Sequence, residues 1–85
     1  MNIQVPTYNG KNLTFLWENN FCIKCSINNE SVCIESNKEG LISLARHLLE
    51  LAQDNVPEFT HIHLDEYNSL EAGSSELVII KKSSI

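Results

Sequence analysis

The chain changes its hydrophobic period twice. Up to Glu35, apolar and polar positions alternate; after Asn37, apolar residues recur at helical spacing; beyond Pro57, alternation returns. Alternation marks a half-buried strand and a period near 3.6 marks an amphipathic helix. Ile3 and Val5, then Leu13, Phe15 and Trp17, then Phe21 to Ile27, then Val32 and Ile34 predict a four-stranded β-meander. Asn9-Gly10 is the strongest short-range hairpin signal. A three-residue Glu18-Asn19-Asn20 loop would bring Trp17 opposite Phe21 and Phe15 opposite Ile23. A two-residue Asn28-Asn29 turn would pair Cys25 with Val32 and Ile23 with Ile34, with the apolar set on one face.

Asn37 reads as a helix N-cap, and Glu39 in the first turn suits the helix dipole. Leu41, Leu44, Ala45, Leu48 and Ala52, widened by Ile42 and Leu49, predict the buried stripe. Ser43, Arg46, His47, Glu50, Gln53 and Asp54 fall on the other, solvent side. Asn55 and Pro57 stop the helix. Gly40 weakens it, and a close backbone approach is one reason to tolerate that. Phe59 to Asp65 and Glu76 to Lys82 predict two further strands, the second apolar on both faces and so suited to a sheet centre. The long connection between them, Glu66 to Ser75, is of a kind that often carries function. The expected fold class is α+β: one domain over residues 1–85, an antiparallel sheet in ββββαββ order with one helix on its apolar face.

Composition sharpens this by exclusion. A chain of 85 residues buries only roughly 60% of the surface it exposes when unfolded, too thin a core for a deep catalytic cleft. A net charge of −5 disfavours nucleic acid as a partner. The charge is also uneven. Between Arg46 and Lys81 there is no Lys or Arg, and seven acids: Glu50, Asp54, Glu58, Asp65, Glu66, Glu71 and Glu76. Such a stretch is either a solubilising surface or a docking surface for a basic partner. The first residues are mixed and interrupted by Pro6, unlike a secretory signal, and the cysteines Cys22, Cys25 and Cys33 are odd in number. A reduced, cytoplasmic protein with free thiols is expected. No apolar run approaches the ~20 residues that span a bilayer, so no membrane partner is expected.

Three constellations could carry chemistry. His61, His63 and Asp65 stand at alternate positions of one strand and so share a face, with Glu35 a possible additional supplier from the outer sheet. Two imidazoles and a carboxylate can ligate zinc or iron; equally, they can be semi-exposed polar contacts. Cys22 and Cys25 match C-x-x-C in letters, but residues three apart on a strand point to opposite faces and cannot jointly clamp a metal. Cys25 is expected in the core, and Cys22 and Cys33 on the outer face. Ser43 and His47 could touch across one helical turn, yet no third group orients the histidine, and both read as surface residues. Trp17 is expected in the core, Tyr8 at the surface, and Tyr67 as an exposed aromatic among carboxylates, the kind of residue that anchors interfaces.

Several segments together carry a family resemblance. Ser36-Asn37-Lys38-Glu39-Gly40-Leu41, the helix with Leu44-Ala45 and Leu48-Leu49-Glu50-Leu51-Ala52, the strand His61-Ile62-His63-Leu64-Asp65, and Ser75-Glu76-Leu77-Val78-Ile79-Ile80 follow in that order. Over residues 30–82 the chain resembles the immunity protein 32 family of bacterial polymorphic toxin systems. The resemblance implies an antidote: a stoichiometric binder of a cognate toxin, with no catalysis and no cofactor. His61, His63 and Asp65 match the family's strand motif. Many antibacterial toxins are nucleases with basic clefts, which an acidic antidote would oppose. The expected partner-binding residues are Glu50, Asp54, Asp65, Glu66, Tyr67 and Glu71, centred on the last four. Two other readings stand beside this one. One is a small metal-dependent hydrolase using His61, His63 and Asp65. The other is a homodimer or larger assembly paired through a sheet edge or the outer sheet face.

Overall fold

Ile23–Asn28 (β1) and Ser31–Ser36 (β2) form an antiparallel hairpin whose register pairs Cys25 with Ile34 and Ile27 with Val32. Its two-residue turn is Asn29-Glu30, with φ of 49° and 70°. Both values are positive, as a type I′ turn requires. The expected Asn28-Asn29 turn is therefore displaced by one residue. Because each cross-strand partner moves by two, every side chain keeps its face. The computed structural model describes residues 1–84.

Lys38–Leu51 (α1) follows at once. The Asn37 side chain accepts from the Gly40 N–H at 2.8 Å and the Cys22 N–H at 3.0 Å, and donates to the Asn20 carbonyl at 2.9 Å, so the cap also anchors the preceding loop. The helix ends at Leu51 with Ala52 as C-cap, before Asn55 and Pro57 are reached. His61–Leu64 (β3) and Leu77–Ile80 (β4) pair antiparallel as a second two-stranded sheet. The fold class is α+β, but the order is ββαββ in two small sheets. The single ββββαββ sheet is not formed. β4 is not a central strand, and its Val78 and Ile80 are exposed.

The two missing strands are residues 1–22, which hold no regular secondary structure. The Asn9-Gly10 turn is present, closed by Asn9 Oδ1 accepting from the Lys11 and Asn12 N–H groups, but it joins no paired strands. A backbone without a ladder must find other partners. Here it finds them on the helix and on the turn just after it. Gln53 Oε1 accepts from the Tyr8 N–H and its amide donates to the Pro6 carbonyl. Glu50 accepts from the Thr14 and Phe15 N–H groups at 2.6 and 3.1 Å. His47 Nε2 meets the Leu16 carbonyl at 3.0 Å, and Ser43 accepts from the Glu18 N–H at 2.9 Å. Arg46 donates to the Gln4 carbonyl and pairs with Glu18.

This inverts the expected helix. The supposed solvent side, Ser43, His47 and Glu50, is buried, while Leu41, Leu48 and Leu49 of the supposed core stripe are exposed. Tyr8, expected at the surface, packs half-buried on the core. The core itself is Ile23, Cys25, Leu51, Val56, Ile62, Leu64 and Leu70, with Phe15, Trp17, Phe21 and Leu44 packed against it. Gly40 lies where the helix crosses β1. A Cβ there would stand 2.7 Å from Ile23 Cγ1 and 3.0 Å from the Cys22 carbonyl and would overlap the Ser36 hydroxyl. The close approach is thus its reason to be glycine. The connection between β3 and β4 seams onto β1: Glu71 N–H donates to the Ile23 carbonyl, Ser75 N–H to the Cys25 carbonyl, and Cys25 N–H to the Ser74 hydroxyl.

Candidate functional site

The turn after β3 is built on Asp65. Its carbonyl accepts from the N–H groups of Asn68, Ser69 and Leu70, and its carboxylate from the Tyr67 N–H at 2.9 Å. Asn68 reciprocates, accepting from the Asp65 N–H and donating to the His63 carbonyl. These bonds hold Glu66 and Tyr67 outward, and Tyr67 is 90% exposed. An aromatic side chain so exposed buries little of its surface within the chain, so its packing is available to another molecule.

The expected docking residues separate into three groups. Asp65, Glu66 and Tyr67 share this turn. Glu71 is exposed but lies on the seam with β1, where Cys22 Sγ donates to its Oε1 at 2.7 Å. That bond, followed by some desolvation and the carboxylate's negative charge, pushes the exposed Cys22 thiol above its ordinary pKa. Asp54 is exposed in the turn beyond the helix. Glu50 is 1% exposed and committed to the Thr14 and Phe15 amides, so it offers no surface to a partner.

His61 and His63 project together from β3, as alternation requires, and both are exposed. His63 Nε2 stands 3.5 Å from Asp65 Oδ2 and 3.2 Å from Glu76 Oε2. Glu76, just before β4, is the neighbour that sequence reasoning missed; only the β3–β4 register brings it there. His61 turns its Nδ1 to the Phe59 carbonyl instead. Glu35 lies elsewhere, around a hollow with Cys22, Lys24 and Glu71. Among the described residues, no three His, Cys, Asp or Glu side chains converge in a group that could hold a metal ion. The cysteines are free; Cys25 is buried and Cys22 exposed, on opposite faces.

His47, expected at the surface, is fully buried between Phe15 and Trp17, with ring centroids 5.2 and 4.3 Å away. The Leu16 carbonyl can only accept, so Nε2 carries the proton. Nδ1 is then a bare acceptor, and it has no partner among the described residues. Burial holds the His47 pKa below its ordinary value; the Leu16 hydrogen bond and Glu50 oppose that shift, and Arg46 adds to it. Phe15, Trp17 and His47 also wall a groove of about 280 Å3 along β3, completed by His61 to Leu64, Asn68 and Ser69. A second, apolar hollow of about 410 Å3 lies on the outward helix face between Met1, Ile3, Leu41, Ile42 and Ala45. Among the described residues no helix is long and apolar enough to cross a membrane.

Comparison with known proteins adds one match. The family model described as immunity protein 32 matches residues 31–82, from β2 through β4. The match takes in the capped helix, the His61–Asp65 strand and the acidic turn. No curated protein and no solved structure matches the chain.

Proposed function

The chain belongs to the immunity protein 32 family, and on that premise we propose that it is an antitoxin-type immunity protein that binds and neutralises a cognate bacterial toxin. The observation that carries the reading is the match over residues 31–82. The proposed contact is the acidic surface of Asp65, Glu66 and Tyr67, extended by Glu71 and Asp54. A fixed turn that presents two carboxylates beside an exposed tyrosine supports it, because a preformed anchor loses little conformational entropy on binding. The net charge of −5 supports a basic counter-surface, as on a toxin that cleaves nucleic acid. Acting by occupancy, the protein needs no catalytic group, and it works in the cytoplasm of the cell it protects. Co-expression tests this. Cells making the toxin encoded beside this chain should grow only when the chain is present. Growth arrest in its presence would refute the reading.

A separate observation favours a second reading, association of two copies. Leu41, Leu48 and Leu49 on the helix are exposed, and so are Ile27 and Val32 at the tip of the hairpin. Light scattering that gives the mass of a monomer would exclude it.

A further inference from the structure

The groove along β3 has a feature that its side chains alone do not convey. All four strand residues, His61 to Leu64, line it, although alternate side chains point to opposite faces. A cavity touched by both faces of a strand lies along its edge. The hydrogen-bond pattern identifies which backbone groups sit there. Lys81 N–H donates to the Thr60 carbonyl at 2.8 Å and the Lys81 carbonyl accepts from the Phe59 N–H at 2.8 Å, a bulge in which Phe59 and Thr60 share Lys81 as one bonded position of the antiparallel ladder. Bonded pairs recur at every second position. The next two are Ile62 with Ile79 and Leu64 with Leu77. The backbone groups of His61 and His63 therefore point away from β4, toward the groove. Asn68 bears this out from the other side, since its amide reaches the outward His63 carbonyl at 3.0 Å. The His61 N–H, the His61 carbonyl and the His63 N–H have no hydrogen bond to a described residue outside the ladder.

We propose that the open edge of β3 takes an extended, basic segment of the toxin as an added strand, antiparallel or parallel to β3. This rests on the antitoxin reading above and names its binding mode. Three unpaired backbone groups at strand spacing are complementary to another strand's backbone and to little else. The groove walls supply the side-chain selectivity. Asp65 and Glu76 flank His63 at one end, and Glu66 follows in the turn. Phe15 and Trp17 form the opposite wall, on which an arginine or lysine can lie against an aromatic face. A second copy of the chain would bring its own −5 charge to the same edge, which disfavours self-pairing there.

The test combines amide hydrogen exchange with calorimetry on the full chain. The probe is the toxin domain encoded beside it, used in a catalytically inactivated form. Binding should slow exchange at the His61 and His63 amides. His63→Pro removes the imidazole and an outward N–H but no ladder bond, so it should fold while losing about fivefold to tenfold or more in affinity. His63→Ala keeps that N–H and should lose less. If the toxin binds while both amides exchange as fast as in the free chain, the edge is not the site and the antitoxin reading survives. If the toxin does not bind at all, both fall. Protection that grows with the concentration of the chain alone would assign the edge to a second copy and overturn the proposal. Should His63→Pro fail to fold, the exchange data on the unaltered chain decide.

Discussion

Glu50 accepts a hydrogen bond from the Phe15 N–H at 3.1 Å, joining the last turn of the helix to a segment 35 positions earlier in the chain. Phe15 has φ of 50°, a left-handed conformation that costs a non-glycine residue roughly 1–2 kcal/mol. That conformation turns two successive N–H groups, of Thr14 and Phe15, onto one carboxylate. Glu50→Ala leaves both donors without a partner. It should lower unfolding free energy by about 2–4 kcal/mol in a urea titration and open the N-terminal segment to protease. An unchanged midpoint would show that the segment is held by other means.

Gly40→Ala tests the crossing of helix and hairpin. An alanine gains about 1 kcal/mol of helix propensity over glycine. It also places a methyl group against Ile23, Ser36 and the Cys22 carbonyl. Overpacking of this kind costs about 1–3 kcal/mol, so thermal melting should show net destabilisation. A higher melting temperature would mean that the helix can shift freely.

Cys22 and Glu71 make a chemical prediction. The carboxylate raises the thiol pKa, so at mildly alkaline pH the thiolate population is kept low. Glu71→Gln removes the charge and should speed alkylation of Cys22 by iodoacetamide, with the rate–pH profile moved to lower pH. Equal rates in the two proteins would contradict the contact.

His47 predicts a dependence of stability on pH. Its folded pKa lies below the unfolded value. Below the ordinary histidine range the unfolded chain therefore binds a proton that the folded chain refuses, and stability falls with decreasing pH until the folded pKa is reached. His47→Gln keeps a donor for the Leu16 carbonyl but does not titrate. Its loss of stability between pH 7.5 and 5.5, by urea unfolding, should be smaller than that of the unaltered chain. Parallel losses would show that His47 does not set the dependence.

The helix illustrates how far the sequence could be read. The Asn37 cap and the apolar spacing from Leu41 to Leu48 located it, because both are local signals. Which face is buried was not local. It depends on Ser43, His47, Glu50 and Gln53 bonding a backbone segment that has no sheet to join, and periodicity cannot see a partner 25 to 45 positions away. The same blindness made Leu13, Phe15 and Trp17 read as a strand. Their alternation is real, and Trp17 does stack on Phe21 at 4.3 Å, but no ladder forms. The hairpin turn slipped because Glu30 occupies a left-handed position that its residue type does not advertise. In the candidate site, exposure of Tyr67 among acids was legible from the turn composition. The burial of Glu50, the approach of Glu76 to His63 and the groove walled by Phe15 and Trp17 exist only through tertiary pairing.

The measurement that bears most directly on the central claim is calorimetry of the toxin against the unaltered chain and an Asp65→Ala/Glu66→Ala/Tyr67→Ala variant. Glu66 and Tyr67 make no side-chain hydrogen bond among the described residues, while Asp65 caps its own turn, so melting of the variant should be followed alongside. The account predicts a fold that stays intact and an affinity reduced by about thirtyfold or more, as loss of an interface anchor requires. Undiminished affinity in the folded variant would contradict it.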